Sequence, residues 1–190
     1  MMCVTDGTND LDDCTRIELS ISSSHLNIGQ VKIKLNYLSG TPESALDIYK
    51  DNMGHWESIH KVLEEVQDAV AMEESVIHQH LCYKGKFDCV AVYRDKLCVI
   101  DWKTSKKNKP TLKDTFDNPL QVAAYIGAIN NSDSLTSKGM DQIRSGAIVV
   151  AYSDGFPAHV HVMDKKLCEE YWKKWLERLH MYWQKIKSAK

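Results

Sequence analysis

The strongest constraint on the fold is a pair of short apolar runs divided by a polar turn. Residues 85–93 and 97–103 are rich in Val, Ile, Tyr and Cys, and Arg94-Asp95-Lys96 separates them, which is the composition of a β-hairpin. The second run does not stay apolar: Leu97-Cys98-Val99-Ile100 leads straight into Asp101-Trp102-Lys103. Side chains alternate along a strand, so Asp101 and Lys103 share a face with Val99 while Trp102 takes the other. On the first run Asp88 shares a face with Val90 and Val92. If the pairing sets Asp88 near Asp101, two carboxylates converge in an otherwise apolar sheet. Charge buried there without compensation is costly, so Lys103, a metal ion, or both must offset it.

Two carboxylates and an ammonium in one corner suit phosphodiester hydrolysis. Oxygen ligands of this kind hold Mg²⁺ or Mn²⁺, which polarises a phosphoryl oxygen and lowers the pKa of an attacking water. Asp88 and Asp101 are the ligand candidates, with the backbone carbonyl of Trp102 as a further donor. Lys103 can orient the water or neutralise the transition state. An Asp-x-Lys at a strand end is by itself more often a surface salt bridge, so the surrounding elements have to decide.

Residues 1–28 are polar and acidic, with Arg16 as their one Lys or Arg, and read as a poorly ordered leader. Residues 29–190 then form a single domain, which 190 residues at 43% hydrophobic can supply with a core. Residues 29–38 alternate with a period of two and favour a strand. From Pro42 to Met72 the apolar positions fall at helical spacing, Thr41 being the N-cap and Gly54 a break. Residues 75–83 complete three successive strands with the hairpin. Asn118-Pro119 opens a compact apolar helix ending near Asn130, residues 143–152 and 158–163 are two more strands, and Asp164 caps a long last helix with a wide aromatic stripe. The order is helix, three strands, helix, two strands, helix.

Charge is informative only in its distribution, since 24 basic and 26 acidic residues leave a net −2. Lys103, Lys106, Lys107, Lys109 and Lys113 follow the proposed site with no acid up to Lys113, and could track a phosphate backbone. The cations of the last helix (Lys173, Lys174, Arg178, Lys185, Lys187) are better read as a solvated face. Phe116, Trp102 and Tyr125 are candidates for stacking on bases. Six cysteines without a C-x-x-C pair read as free thiols. No run approaches the roughly 20 apolar residues of a membrane helix, so no membrane partner is expected, and the acidic start is unlike a mitochondrial presequence.

Asp88, the apolar strand ending in Asp101-Trp102-Lys103, and Gln121 with Tyr125 one helical turn apart together resemble the PD-(D/E)xK nuclease superfamily, in its RecB-like branch. The segments 86–93, 96–105, 115–125 and 148–159 are similar to animal exonucleases of mitochondrial DNA maintenance. The resemblance spans residues 54–187. It implies a restriction-endonuclease-like α/β fold with an αβββαβ core, a mixed sheet flanked by helices and a long C-terminal helix. It also implies a monomeric, mitochondrial DNA exonuclease acting on single strands or flaps with free ends. Carried onto matching positions, Asp88 and Asp101 become metal ligands, Lys103 the catalytic lysine, Gln121 and Tyr125 a supporting motif, and Thr104 and Ser105 phosphate contacts. No separate organic cofactor is implied. The family histidine four residues after an early helical glycine falls on Ile33 after Gly29 and is missing; His55, His60 and His78 are the residues that could replace it in space. The N-terminal region also reads as shortened. A catalytically impaired DNA- or protein-binding module is therefore the competing reading.

Overall fold

The computed structural model describes residues 36–132 and 141–188, together with the backbone of two short strands, β1 (Met2–Asp6) and β2 (Ile17–Ile21). Those two strands lie in the segment expected to be a leader. Gly29 and Ile33, and most of the strand expected over 29–38, lie outside the described residues, while 36–38 form a helical turn. Along the rest of the chain come α1 (Lys50–Glu64), β3 (Val66–Met72), β4 (Ser75–His78), β5 (Tyr83–Lys86), β6 (Cys89–Tyr93), β7 (Lys96–Ser105), α2 (Asn118–Asn130), β8 (Ser145–Tyr152), β9 (His159–Met163) and α3 (Lys165–Ser188).

The main sheet runs β3-β6-β7-β8-β9 and is antiparallel except for the β7–β8 pair. A parallel pair needs a crossover long enough to return the chain, and α2 supplies it. Helices cover both faces. Val90, Val99, Ile148 and Val150 pack against α2 and α3 on one side; Cys89, Ala91, Ile100, Trp102 and Val149 pack against Trp56, Ile59 and Leu63 of α1 on the other. The sequence α1, β3, β6, β7, α2, β8 is the αβββαβ core, with β4 and β5 inserted into a second sheet of order β1-β2-β5-β4.

Three local readings need correction. The helical pattern over 42–72 divides into a 3-10 turn (Glu43–Ala45), α1, and then β3. Val66 and Val70 mimic a helical i, i+4 pair because β3 carries a bulge: its register on β6 shifts between Gln67 and Ala71, and Asp68 adopts φ 43°. An inserted residue breaks the period-two signature that marks a strand. Gly54 does not break α1. It lets the helix approach the β8–β9 turn, where a Cβ would stand 1.9 Å from the Ser153 carbonyl oxygen. Finally, the strand expected over 75–83 is interrupted by a turn in which the Cys82 amide donates to Gln79 O at 3.3 Å and Cys82 adopts φ 54°.

α3 starts at its cap. Asp164 Oδ1 accepts the Leu167 amide at 2.8 Å and opens α3. Arg178 of α3 reaches back to Asp117, the N-cap of α2, with two N–H donors at 2.9 and 3.1 Å. Gly127 of α2 admits the Trp172 ring, which a Cβ would meet at 2.2 Å. Cys89, Cys98 and Cys168 are buried thiols outside any disulfide. Cys82 is disulfide-bonded, so the free-thiol expectation fails there, because pairing depends on tertiary proximity rather than on spacing.

Candidate active site

The register of β6 on β7 builds the site. Cys89 pairs with Ile100 and Val90 with Val99, so Asp88, one residue before β6, falls opposite Asp101 where the ladder opens. Asp88 is therefore at the strand's mouth rather than inside it. Its Oδ2 accepts the Trp102 backbone amide at 2.7 Å, which ties the loop carboxylate across the hairpin. Asp101 and Lys103 both lie on the face that packs under α2, and both are buried, 1% and 8% exposed. Lys103 Nζ stands 2.8 Å from each oxygen of Asp101.

α2 brings the next pair. Pro119 stands in its first turn, and Gln121 and Tyr125, four residues apart, face the sheet from one side of the helix. Gln121 Nε2 donates to Tyr125 Oη at 2.8 Å, and both residues are buried. Burial, followed by the negative charge of Asp101, drives the Tyr125 phenol far above its ordinary pKa. The Gln121 hydrogen bond pulls the other way, and Asp88 and Glu73 add smaller upward contributions. Tyr125 thus stays protonated and can donate. Gln121 Oε1 is buried with no hydrogen-bond partner among the described residues. A buried acceptor in that state costs free energy unless something in the cleft supplies a donor.

Glu73, which sequence reasoning passed over, also belongs to this neighbourhood. Its amide donates to Asp88 O at 2.9 Å, its carboxylate meets Lys86 Nζ at 3.0 Å, and its charge reaches Tyr125. The only signal in the sequence was a Glu-Glu pair after an apolar stretch.

Other expected residues lie elsewhere. Thr104 is on the Trp102 side of β7 by alternation, away from Asp101 and Lys103. Ser105 Oγ donates to Lys107 O at 2.7 Å and accepts the Lys107 amide at 3.1 Å, closing the turn that leaves β7. Trp102 and Tyr125 are 4% and 2% exposed, so neither ring is free to stack on an incoming base. His55 and His60 ride on α1, across the sheet from Asp101. His78 stacks on Trp172 at 6.0 Å and accepts the Leu81 amide at 3.3 Å. Among the described residues no three His, Cys, Asp or Glu side chains gather as a metal cage. Asp88 and Asp101 bring two carboxylates to the mouth of the ladder. Hard oxygens in that number fit a cation such as Mg²⁺ or Mn²⁺, which keeps several waters as ligands.

Residues 36–190 match the family model described as the PD-(D/E)XK nuclease superfamily. The chain belongs to that superfamily. It is 53% identical to mitochondrial genome maintenance exonuclease 1 of Mus musculus over 135 residues, 71% of this chain and 39% of the relative. Against the protein of that name from Homo sapiens the identity is 48% over 151 residues, 78% of this chain and 43% of the relative. For Xenopus tropicalis it is 53% over 132 residues, 70% and 37% respectively. The chain spans about two-fifths of the length of these curated relatives. Superfamily nucleases generally use divalent metal ions.

Proposed function

We propose that the chain is a metal-dependent exonuclease that hydrolyses phosphodiester bonds in single-stranded DNA or flaps with free ends, and that it serves mitochondrial DNA maintenance as a monomer. The observation that carries this reading is the buried Asp101–Lys103 pair, set where the β6–β7 ladder opens and Asp88 stands opposite. The names of the relatives support the exonuclease and mitochondrial parts.

Asp88, Asp101 and the Trp102 carbonyl would hold Mg²⁺ or Mn²⁺, which supplies charge neutralisation at the phosphoryl oxygens and a more acidic water. Lys103 Nζ, released in part from Asp101, donates to the attacking water or to the oxygen on which charge develops. Gln121 Oε1 accepts a hydrogen bond from a water in the cleft and so orients it. Tyr125 remains a neutral donor beside two carboxylates. Ser105 contacts phosphate only if the turn after β7 rearranges, since it is committed to Lys107, and Thr104, on the opposite face of β7, is left out of that contact.

A labelled linear single-stranded oligonucleotide tests the reading. Cleavage is expected to need a divalent ion, to vanish in EDTA and in Lys103→Ala, and to spare a circular strand. Cleavage that survives EDTA or Lys103→Ala removes the mechanism. Calorimetric titration with Mn²⁺ separates the enzyme from a module that only binds, because the enzyme's binding heat is lost in Asp88→Asn and Asp101→Asn.

A further inference from the structure

The catalytic face continues beyond Lys103 into a group of rings that the nuclease chemistry does not use. Along β8, Ile148 pairs with both Asp101 and His161, and Val150 with both Lys103 and His159. His161 and His159 therefore stand two strands from Asp101 and Lys103 on the same face, about 10 Å away. Ser105 pairs with Tyr152, whose hydroxyl contacts His159 Nδ1 at 2.9 Å and accepts the Lys109 amide at 3.0 Å. His159 stacks on His161 at 6.2 Å and 12°, and Phe156 stacks on His159 at 5.9 Å and 19°. Lys109 closes the group: its carbonyl contacts His161 Nε2 at 3.0 Å, and its ammonium lies 4.3 Å above the Phe116 ring.

This is costly architecture for a surface. Phe156 is 52% exposed and Phe116 77% exposed, and large apolar rings at those exposures bury little area for the fold. Phe116 moreover adopts φ 55°, a conformation strained for an aromatic residue. Both rings rest against a neighbour yet keep half or more of their surface open, and exposed Lys106 and Lys107 lie on the turn that leaves β7 just after Lys103. Flat faces beside ammonium groups are the means by which a protein holds unpaired bases without reading their sequence. Duplex DNA offers no such faces, because its bases already stack on one another.

We propose that Phe156, backed by His159, and Phe116, backed by Lys109, stack on unpaired bases of the DNA strand beside the scissile phosphate, so that this strip selects a single strand over a duplex. The inference rests on the nuclease reading for its substrate, yet it concerns binding rather than chemistry. Fluorescence anisotropy of the full chain in EDTA measures it without cleavage, using a labelled single strand, a blunt duplex of the same sequence, and a strand carrying 2-aminopurine near its end. Phe156→Ala and Phe116→Ala are each expected to weaken single-strand binding about tenfold, to relieve the 2-aminopurine quench, and to leave duplex binding within twofold. Phe156→Trp is expected to retain both affinity and quench. Unchanged single-strand affinity and quench in both alanine variants overturns the inference and leaves the nuclease reading standing. Equal loss on single strand and duplex overturns it as well, and a parent chain that binds no single strand overturns both.

Discussion

Replacing Lys103 by Met removes the ammonium that stands 2.8 Å from both oxygens of Asp101 while keeping most of the side chain's volume. At an effective dielectric of 20, that separation corresponds to a gross attraction of about 6 kcal/mol. Desolvation of two buried ions offsets much of it, so the pair as a whole adds little to stability, whereas breaking it takes the ammonium away from a carboxylate that is 1% exposed. The expected loss for Lys103→Met is about 3–5 kcal/mol in urea unfolding without divalent ions. Asp101→Asn/Lys103→Met, with neither charge left, should recover to within about 1–2 kcal/mol of the parent. If Asp88 and Asp101 hold a cation, Mn²⁺ at one hundred times its Kd should return about 2.7 kcal/mol to the single variant and nothing to the double. A single variant that loses under 1 kcal/mol, or a double variant no better than the single, would refute the argument that Lys103 offsets the Asp101 charge.

Other outcomes follow from packing and protonation. Gly127→Ala should lower Tm despite alanine's better helix propensity, because its Cβ meets the Trp172 ring at 2.2 Å; overpacking of this kind costs about 1–3 kcal/mol, and a raised Tm would contradict it. Tyr125→Phe deprives the Gln121 amide of its acceptor and should cost about 1–3 kcal/mol, with Gln121→Met/Tyr125→Phe more stable than Tyr125→Phe alone by thermal melting. Burial pushes the Cys98 thiol up to about 11 and the Cys168 thiol up to about 12, so a disulfide reagent at pH 8 should reach them only on unfolding. His55, His78 and His161 titrate below the ordinary histidine value, chiefly because burial penalises the cation. The unfolded chain therefore takes up their protons first, and stability should be full above about pH 6.5 and decline as pH falls below it. A Tm that stays level from pH 7.5 to 5.5 would count against this.

What could be read from the residues was whatever repeats within a few positions. The β6–β7 hairpin, the face shared by Asp101 and Lys103, the helix after Asn118-Pro119 and the cap at Asp164 are all short-range patterns, and each stands where the spacing puts it. β3 was misread because a bulge at Asp68 removes the alternation that announces a strand. Only the tertiary structure could decide what depends on register between distant strands and on which face a helix covers. It set Asp88 opposite Asp101 at the mouth of the ladder, put His55 and His60 behind the sheet, and committed Arg178 to Asp117. It also joined Tyr152 and His161 to Lys109, more than forty residues earlier. The Asp-Trp-Lys chemistry is local because three consecutive residues carry it. The surroundings that make it a site are not, because β8, α2 and the β5–β6 loop reach it only when the sheet is assembled.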